Sequence, residues 1–292
     1  MGYTDPRLLP SGKLNFRLNR LLSYYNKQDP PPSRVKPIPS CILMQTITPL
    51  RLSIHPRANA IADMLTLGFY FLLRPGEYAQ TSNPESTPFR LQDVHLHRGQ
   101  CRIAHLTCPI AELDTATFIC LEFTNQKNGV RGELIGLSRS GNPYFCPVQA
   151  GINRVKHLRC YSAPQSTPLY AFFHNGWLGI NTCTLTAELR QNVTLLGHTV
   201  GLSASDISVR SLRASGAMAL LCANIDTDRI RLLGRWRSDE MLRYLHVQAY
   251  SVVAHIAPAM LQHGQFTLIP NEIHPQNPPP VGTLGNMGTV AH

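Results

Sequence analysis

The chain has 292 residues, of which 43% are hydrophobic and 15% charged, and its net charge is +10. That length and composition describe a globular protein of one or two domains, and the basic excess favours a polyanionic partner, nucleic acid first. The apolar stretch at 64–73 falls well short of the roughly 20 residues that span a bilayer, and the Met1 end lacks a signal-peptide apolar run, so no membrane partner and a nuclear or cytoplasmic location are expected.

Over residues 1–57 nine Lys/Arg face only Asp5 and Asp29, as in a phosphate-tracking arm or a solvated tail. Leu14, Leu18, Leu21 and Leu22 repeat at helical spacing over 12–27, and Pro30, Pro31 and Pro32 end that pattern. Pro56 suits a first helical position, and Ile61, Met64, Leu65, Leu67, Phe69 and Leu73 predict a buried central helix. Pro75 and Gly76 interrupt it, which puts Arg74 at its C-terminal end.

Short β-type runs at 94–97, 103–107, 117–123 and 132–137 predict a small antiparallel sheet, with Lys127, Asn128 and Gly129 in a turn. His95, His97, Cys101, His105 and Cys108 are metal-ligand types, but the period-two alternation through 93–97 accounts for them as a half-exposed strand, so no metal is expected. The eight cysteines are scattered without a C-x-x-C pair and read as reduced, mostly structural thiols. Helical patterns return near 147–159, 182–196, 209–223, 226–235 and 238–250, with Asp226 and Ser238 as caps of the last two. Beyond about 264 the Pro/Gly/Asn-rich composition predicts no fixed structure. The fold class is therefore mixed α/β, mainly α, with a small antiparallel sheet.

Two segments carry the chemistry: Ser208-Val209-Arg210-Ser211-Leu212-Arg213, and the stretch from Gly234-Arg235-Trp236 to Tyr244. Together they resemble the C-terminal signature of the tyrosine recombinases, the phage-integrase family, most of all versions carried by eukaryotic mobile elements. In that family the first segment reads H-x-x-R, the second sets a His or Trp beside a Gly, and the nucleophilic Tyr follows at a fixed distance. Arg213 matches the motif arginine, Arg235 and Trp236 the glycine-linked position, and Tyr244 follows Arg235 by nine residues. Tyr250 fails on that spacing. Leu73-Arg74-Pro75-Gly76-Glu77 is similar to the family's first catalytic arginine with its trailing acid, and Lys127 sits on the predicted hairpin where the family carries its lysine.

The resemblance, over about 58–263, implies a tyrosine-recombinase catalytic domain. It would cleave and rejoin double-stranded DNA through a 3′-phosphotyrosyl intermediate in site-specific recombination or DNA integration, with no metal or nucleotide cofactor, and act as a homo-oligomer on DNA. Arg74 and Arg213 would clamp the phosphate, since guanidinium forks bind its oxygens bidentately. Lys127 would protonate the leaving 5′-oxygen. Tyr244 would attack, its hydroxyl, ordinarily of pKa about 10, activated by nearby positive charge. Each assignment has a plainer rival: Arg74 compensating a helix C-terminus with Glu77 as its partner, Tyr244 packing with Met241 and Leu245, Lys127 as an ordinary turn lysine.

One departure stands out. Arg210 replaces the family's usual His, and arginine cannot act as a general base. This leaves as the alternative a DNA-binding protein that keeps the recombinase fold with impaired catalysis. The expected layout is a basic arm at 1–33 with the remnant helix of an N-terminal core-binding domain, a Pro-rich linker at 34–57, the catalytic domain at 58–263 and a disordered tail at 264–292.

Overall fold

A computed structural model describes residues 7, 11, 15–16, 18–21, 35–124, 132–236, 258 and 261. Lys127, Tyr244, the helix expected at 238–250, most of the one at 12–27 and all of 264–292 lie outside the described residues. Met1–His246 forms one compact unit, to which every element below belongs. No helix among the described residues is long and apolar enough to cross a membrane.

The first helix, α1 (Ser40–Leu52), occupies much of the span read as a Pro-rich linker. Pro37 and Pro39 precede its first turn, and Pro39 takes the N-cap position, where a missing N–H costs nothing. Ile42, Leu43, Thr46 and Ile47 recur at helical spacing on one buried stripe, a signal that the prolines around it obscured.

Helix α2 (Pro56–Tyr70) starts at the expected proline, with the His55 imidazole accepting from the Arg57 amide at 3.1 Å. Every residue from Ala60 to Phe69 is buried, because α1, α4 (Pro147–Cys160) and α6 (Ser211–Cys222) all pack on it. One of those residues is Asp63. Its carboxylate accepts from Arg51 of α1 and from Asn153 of α4, the latter at 3.2 Å, and lies 3.6 Å from the Arg154 guanidinium. Arg154 also donates to the Ala171 carbonyl at 2.8 Å, so one carboxylate ties three helices together.

The four-stranded antiparallel sheet has the order β2-β1-β3-β4, with β1 Val94–Arg98, β2 Cys101–Ile103, β3 Phe118–Phe123 and β4 Glu133–Ser138. Ile119, Leu121 and Phe123 alternate inward along β3 and face the core, the period of two expected of a sheet with one wet face. The run expected at 103–107 ends as a strand at Ile103; the chain then turns so that the buried His105 imidazole comes within 3.3 Å of the Leu91 carbonyl. A hairpin of β5 (Ala171–Phe173) and β6 (Trp177–Gly179) was not expected, although Asn175 and Gly176, both at positive φ, are its turn signal. Five of the eight cysteines are exposed, and Cys108 and Cys146 are buried.

Helix α5 (Thr182–Leu196) and α7 (Thr227–Leu233) occupy their expected spans, capped by the side chains of Asn181 and Asp226. Helix α6 crosses the end of α2 at backbone distance: a Cβ on Gly216 would lie 2.3 Å from the Phe69 carbonyl oxygen. Only glycine allows that crossing, and it sets Arg213 beneath the end of α2.

Removing the Asp63 carboxylate would leave Arg51 and Arg154 buried without their counter-ion. Asp63→Ala should therefore lower stability by about 3–5 kcal/mol in urea unfolding; a loss below about 1 kcal/mol would show that the triad is not fully desolvated.

Candidate active site

Helix α2 ends at Tyr70 in a left-handed closure. The Leu73 amide donates back to the Gly68 carbonyl at 3.1 Å and the Leu72 amide to Phe69 at 3.4 Å, while Leu72 takes φ +50°. Arg74 is therefore not the last residue of α2, as the apolar run suggested. It is the N-cap of a new short helix, α3 (Pro75–Tyr78), with Pro75 at its first position. Glu77 closes that turn: its carboxylate accepts from the Arg74 amide at 2.7 Å and from the Arg74 guanidinium at 3.1 Å. The rival reading of Arg74 thus had its partner right and the helix end wrong.

The turn at α7 repeats the same closure. The Trp236 amide donates to Arg231, the Arg235 amide to Leu232, and Arg235 takes φ +58°. Glycine or asparagine ordinarily fills such a position, and a leucine or an arginine there costs on the order of 1 kcal/mol or more. Both strained residues meet at one point. Arg213 donates to the Leu72 carbonyl at 2.5 Å and to the Gly234 carbonyl. Arg235 donates to the same Leu72 carbonyl at 3.3 Å and to Glu77 at 3.1 Å.

Three arginines and one carboxylate thus surround the Leu72–Glu77 turn. Arg74 is half-buried, whereas Arg213 and Arg235 are only 4% and 6% exposed. Aromatic faces cover both inner guanidiniums: Trp236 lies 4.1 Å from that of Arg213, and Phe123 lies 3.7 Å from that of Arg235. Burial lowers the Arg235 guanidinium to about 10, with Glu77 opposing the shift. Its Nε and one Nη are buried without a hydrogen-bond partner among the described residues. Arg210 stands apart. It is exposed at the N-cap of α6, and its amide donates to the Ser208 hydroxyl at 3.3 Å.

Of the seven residues expected at the site, Arg74, Arg213, Arg235 and Trp236 converge; Arg210 is close in sequence but faces solvent, and Lys127 and Tyr244 lie outside the described residues. Sequence reasoning missed the Leu72 carbonyl and the Phe123 ring. Phe123 is legible only as the inward end of β3, and a backbone carbonyl leaves no residue-type signal. At the metal-ligand types, His95 is held between Glu122 at 2.8 Å and Arg102 at 2.5 Å. Among the described residues no group of three or more His, Cys, Asp or Glu side chains is placed to hold a metal ion.

No protein-family model matches the chain, and no curated protein matches it. It is similar to solved recombinases. With XerA recombinase it shares 15% identity at a TM-score of 0.44, over 82% of this chain and 67% of that one. With the XerH site-specific recombinase, in a pre-cleavage complex with its difH substrate, the values are 12%, 0.47, 86% and 66%. With the Tn1549 transposon integrase, in complex with transposon right end DNA, they are 9%, 0.45, 81% and 68%. The chain spans about two thirds of the length of each. At such identities and TM-scores the likeness adds no residue assignment to the local geometry.

A Cβ on Gly234 would fall 1.6 Å from the Trp236 ring, although its φ of −79° suits any residue. Gly234→Ala should therefore expel the indole from Arg213 and cost about 1–3 kcal/mol. In a Trp177→Phe background Trp236 is the only tryptophan, and its emission should shift to the red. An unchanged spectrum would show that the ring does not pack on Gly234.

Proposed function

We propose that the chain cleaves and rejoins DNA strands as the catalytic part of a tyrosine recombinase. The observation that supports this most is the meeting of Arg74 and Arg213. They are distant in sequence, yet the Leu72 turn brings them to one place, where Arg213 bonds the carbonyl two residues before Arg74. Two guanidiniums so placed suit a phosphodiester, whose non-bridging oxygens gain negative charge as it is attacked.

In this reading the Tyr244 oxygen attacks phosphorus, the bond to the 5′-oxygen breaks, and Lys127 gives that oxygen its proton. The 3′-phosphotyrosyl bond is then broken by a 5′-hydroxyl, which restores the tyrosine and rejoins a strand. Tyr244 is eight residues beyond Trp236, so it lies within about 29 Å of it even when fully extended, or about 12 Å along a helix. Glu77 serves as the resident counter-ion that keeps Arg74 and Arg235 in place before a phosphate arrives. Without the usual histidine, positive charge from Arg74 and Arg213 stabilises the Tyr244 phenolate, and its proton passes to water. Double-stranded DNA is the substrate, and exchange between two sites requires several copies of the chain on DNA.

A second reading, a DNA-binding protein with impaired catalysis, is favoured by two observations: Arg213 spends two donors on backbone carbonyls, and the side chain of Arg235 turns inward to Glu77. A nicked suicide substrate separates the two. The native chain should become covalently attached to DNA. Tyr244→Phe should abolish the adduct while changing the dissociation constant less than about threefold, because it removes one oxygen and no charge. Arg213→Gln should slow attachment by at least about 100-fold. DNA binding without any adduct from the native chain would establish the second reading instead.

A further inference from the structure

A second pair of arginines lies outside the cluster at Leu72, Arg190 on α5 and Arg210 at the start of α6. Arg190 is exposed in the third turn of α5, and its Nε donates to the Ile207 carbonyl at 2.9 Å. That bond fixes the plane of the guanidinium and leaves its two Nη groups without a partner among the described residues. Arg210 lies three residues beyond Ile207, which three peptide units place within about 11 Å. Its guanidinium is likewise exposed and unpaired among the described residues.

Asp206, the acid nearest to Arg210 in the sequence, does not serve these arginines. The Lys36 ammonium holds its carboxylate at 2.9 Å and, with the Ser203 amide, keeps that carboxyl below the usual range, while the Lys36 amide bonds its backbone carbonyl at 3.1 Å. Glu188 is two residues from Arg190 in the same helix, and that spacing points its side chain to another face. Among the described residues the local balance is therefore two positive charges with no carboxylate paired to them. Two partly exposed cations do have a carboxylate partner, Lys156 with Asp114 at 2.6 Å and Arg231 with Asp228 at 3.0 Å.

We infer that Arg190 and Arg210 form a bracket for DNA backbone phosphates next to the reacting one, so that Arg210 has exchanged a proton-accepting role for a positional one. The inference rests on the recombinase reading for its ligand, but not for its geometry. Forked guanidiniums anchored at one edge are pre-ordered for phosphate oxygens, and the backbone bond at Nε has already taken up part of the side chain's freedom. A bracket of this kind fixes register on the duplex and reads no base.

The test is the salt dependence of binding to a mixed-sequence duplex of about 30 base pairs, since each phosphate contact contributes about 0.9 to the slope of log K against log salt. Arg190→Gln should reduce that slope by about 0.9, and Arg190→Gln with Arg210→Gln by about 1.8. Arg190→Lys keeps the charge and loses the Nε bond, so it should restore most of the native slope. An unchanged slope in Arg190→Gln would overturn the bracket, as would a native chain whose binding ignores salt. If Arg190→Lys falls as far as Arg190→Gln, the residue only holds the turn at Ile207, and the inference is again wrong. Adduct formation on the suicide substrate is scored separately. Its absence, with the slopes as expected, would refute strand cleavage and leave the bracket standing.

Discussion

The carbonyl of Leu72 accepts from two guanidiniums, one from α6 and one from the turn after α7. It can do so because Leu72 is left-handed, which swings the peptide away from the helix axis at the moment α2 ends. The same reversal lets Pro75 start a new helix with Arg74 as its cap, so one backbone torsion places all three arginines. A helix that continued to Leu73 would point the carbonyl along its own axis and take from the buried Arg213 one of its two carbonyl acceptors. The strain at Leu72 and Arg235 is offset by those charge-assisted bonds, which are among the stronger ones a protein makes.

Two clusters in this fold share one motif: arginines in excess around a buried carboxylate. At Asp63 the group is sealed between helices, and Arg51 and Arg154 have no access to solvent-borne anions. At Glu77 the group sits at the end of α2, where Arg74 is partly open. The same chemistry is therefore enclosed in one place and partly open in the other. The difference is exposure. A positive surplus that is fully enclosed can only be tolerated, whereas one at a boundary can be completed by a phosphate.

The aromatic covers bear on the same point. Trp236 and Phe123 exclude water from the inner guanidiniums, which strengthens their bonds to the backbone and raises the cost of leaving any donor unused. Arg235, with two unsatisfied donors, carries that cost directly. Its inward pose makes it a positioning group for Glu77 and the Leu72 turn, while Arg210 on the outer side keeps its charge in water.

Much of the architecture was legible in the order of residues. The apolar core of α2, the alternation along β3, the spans of α4 to α7 and the caps at Pro56 and Asp226 follow from local periodicity and turn chemistry, which act over a few residues and so leave a mark in the chain. Arg74, Arg213, Arg235 and Trp236 were also singled out from the sequence, through motif spacing. Helix α1 was hidden because prolines beside a helix look like prolines in a linker, and β5–β6 because three-residue strands carry almost no period. What no local pattern held was the direction of each arginine. That Arg235 turns to Glu77, that Arg210 stays outside and that Leu72 offers its carbonyl depend on α6 crossing α2 at Gly216 and on α7 closing over both. Those distances join residues more than a hundred positions apart, and only the folded chain decides them.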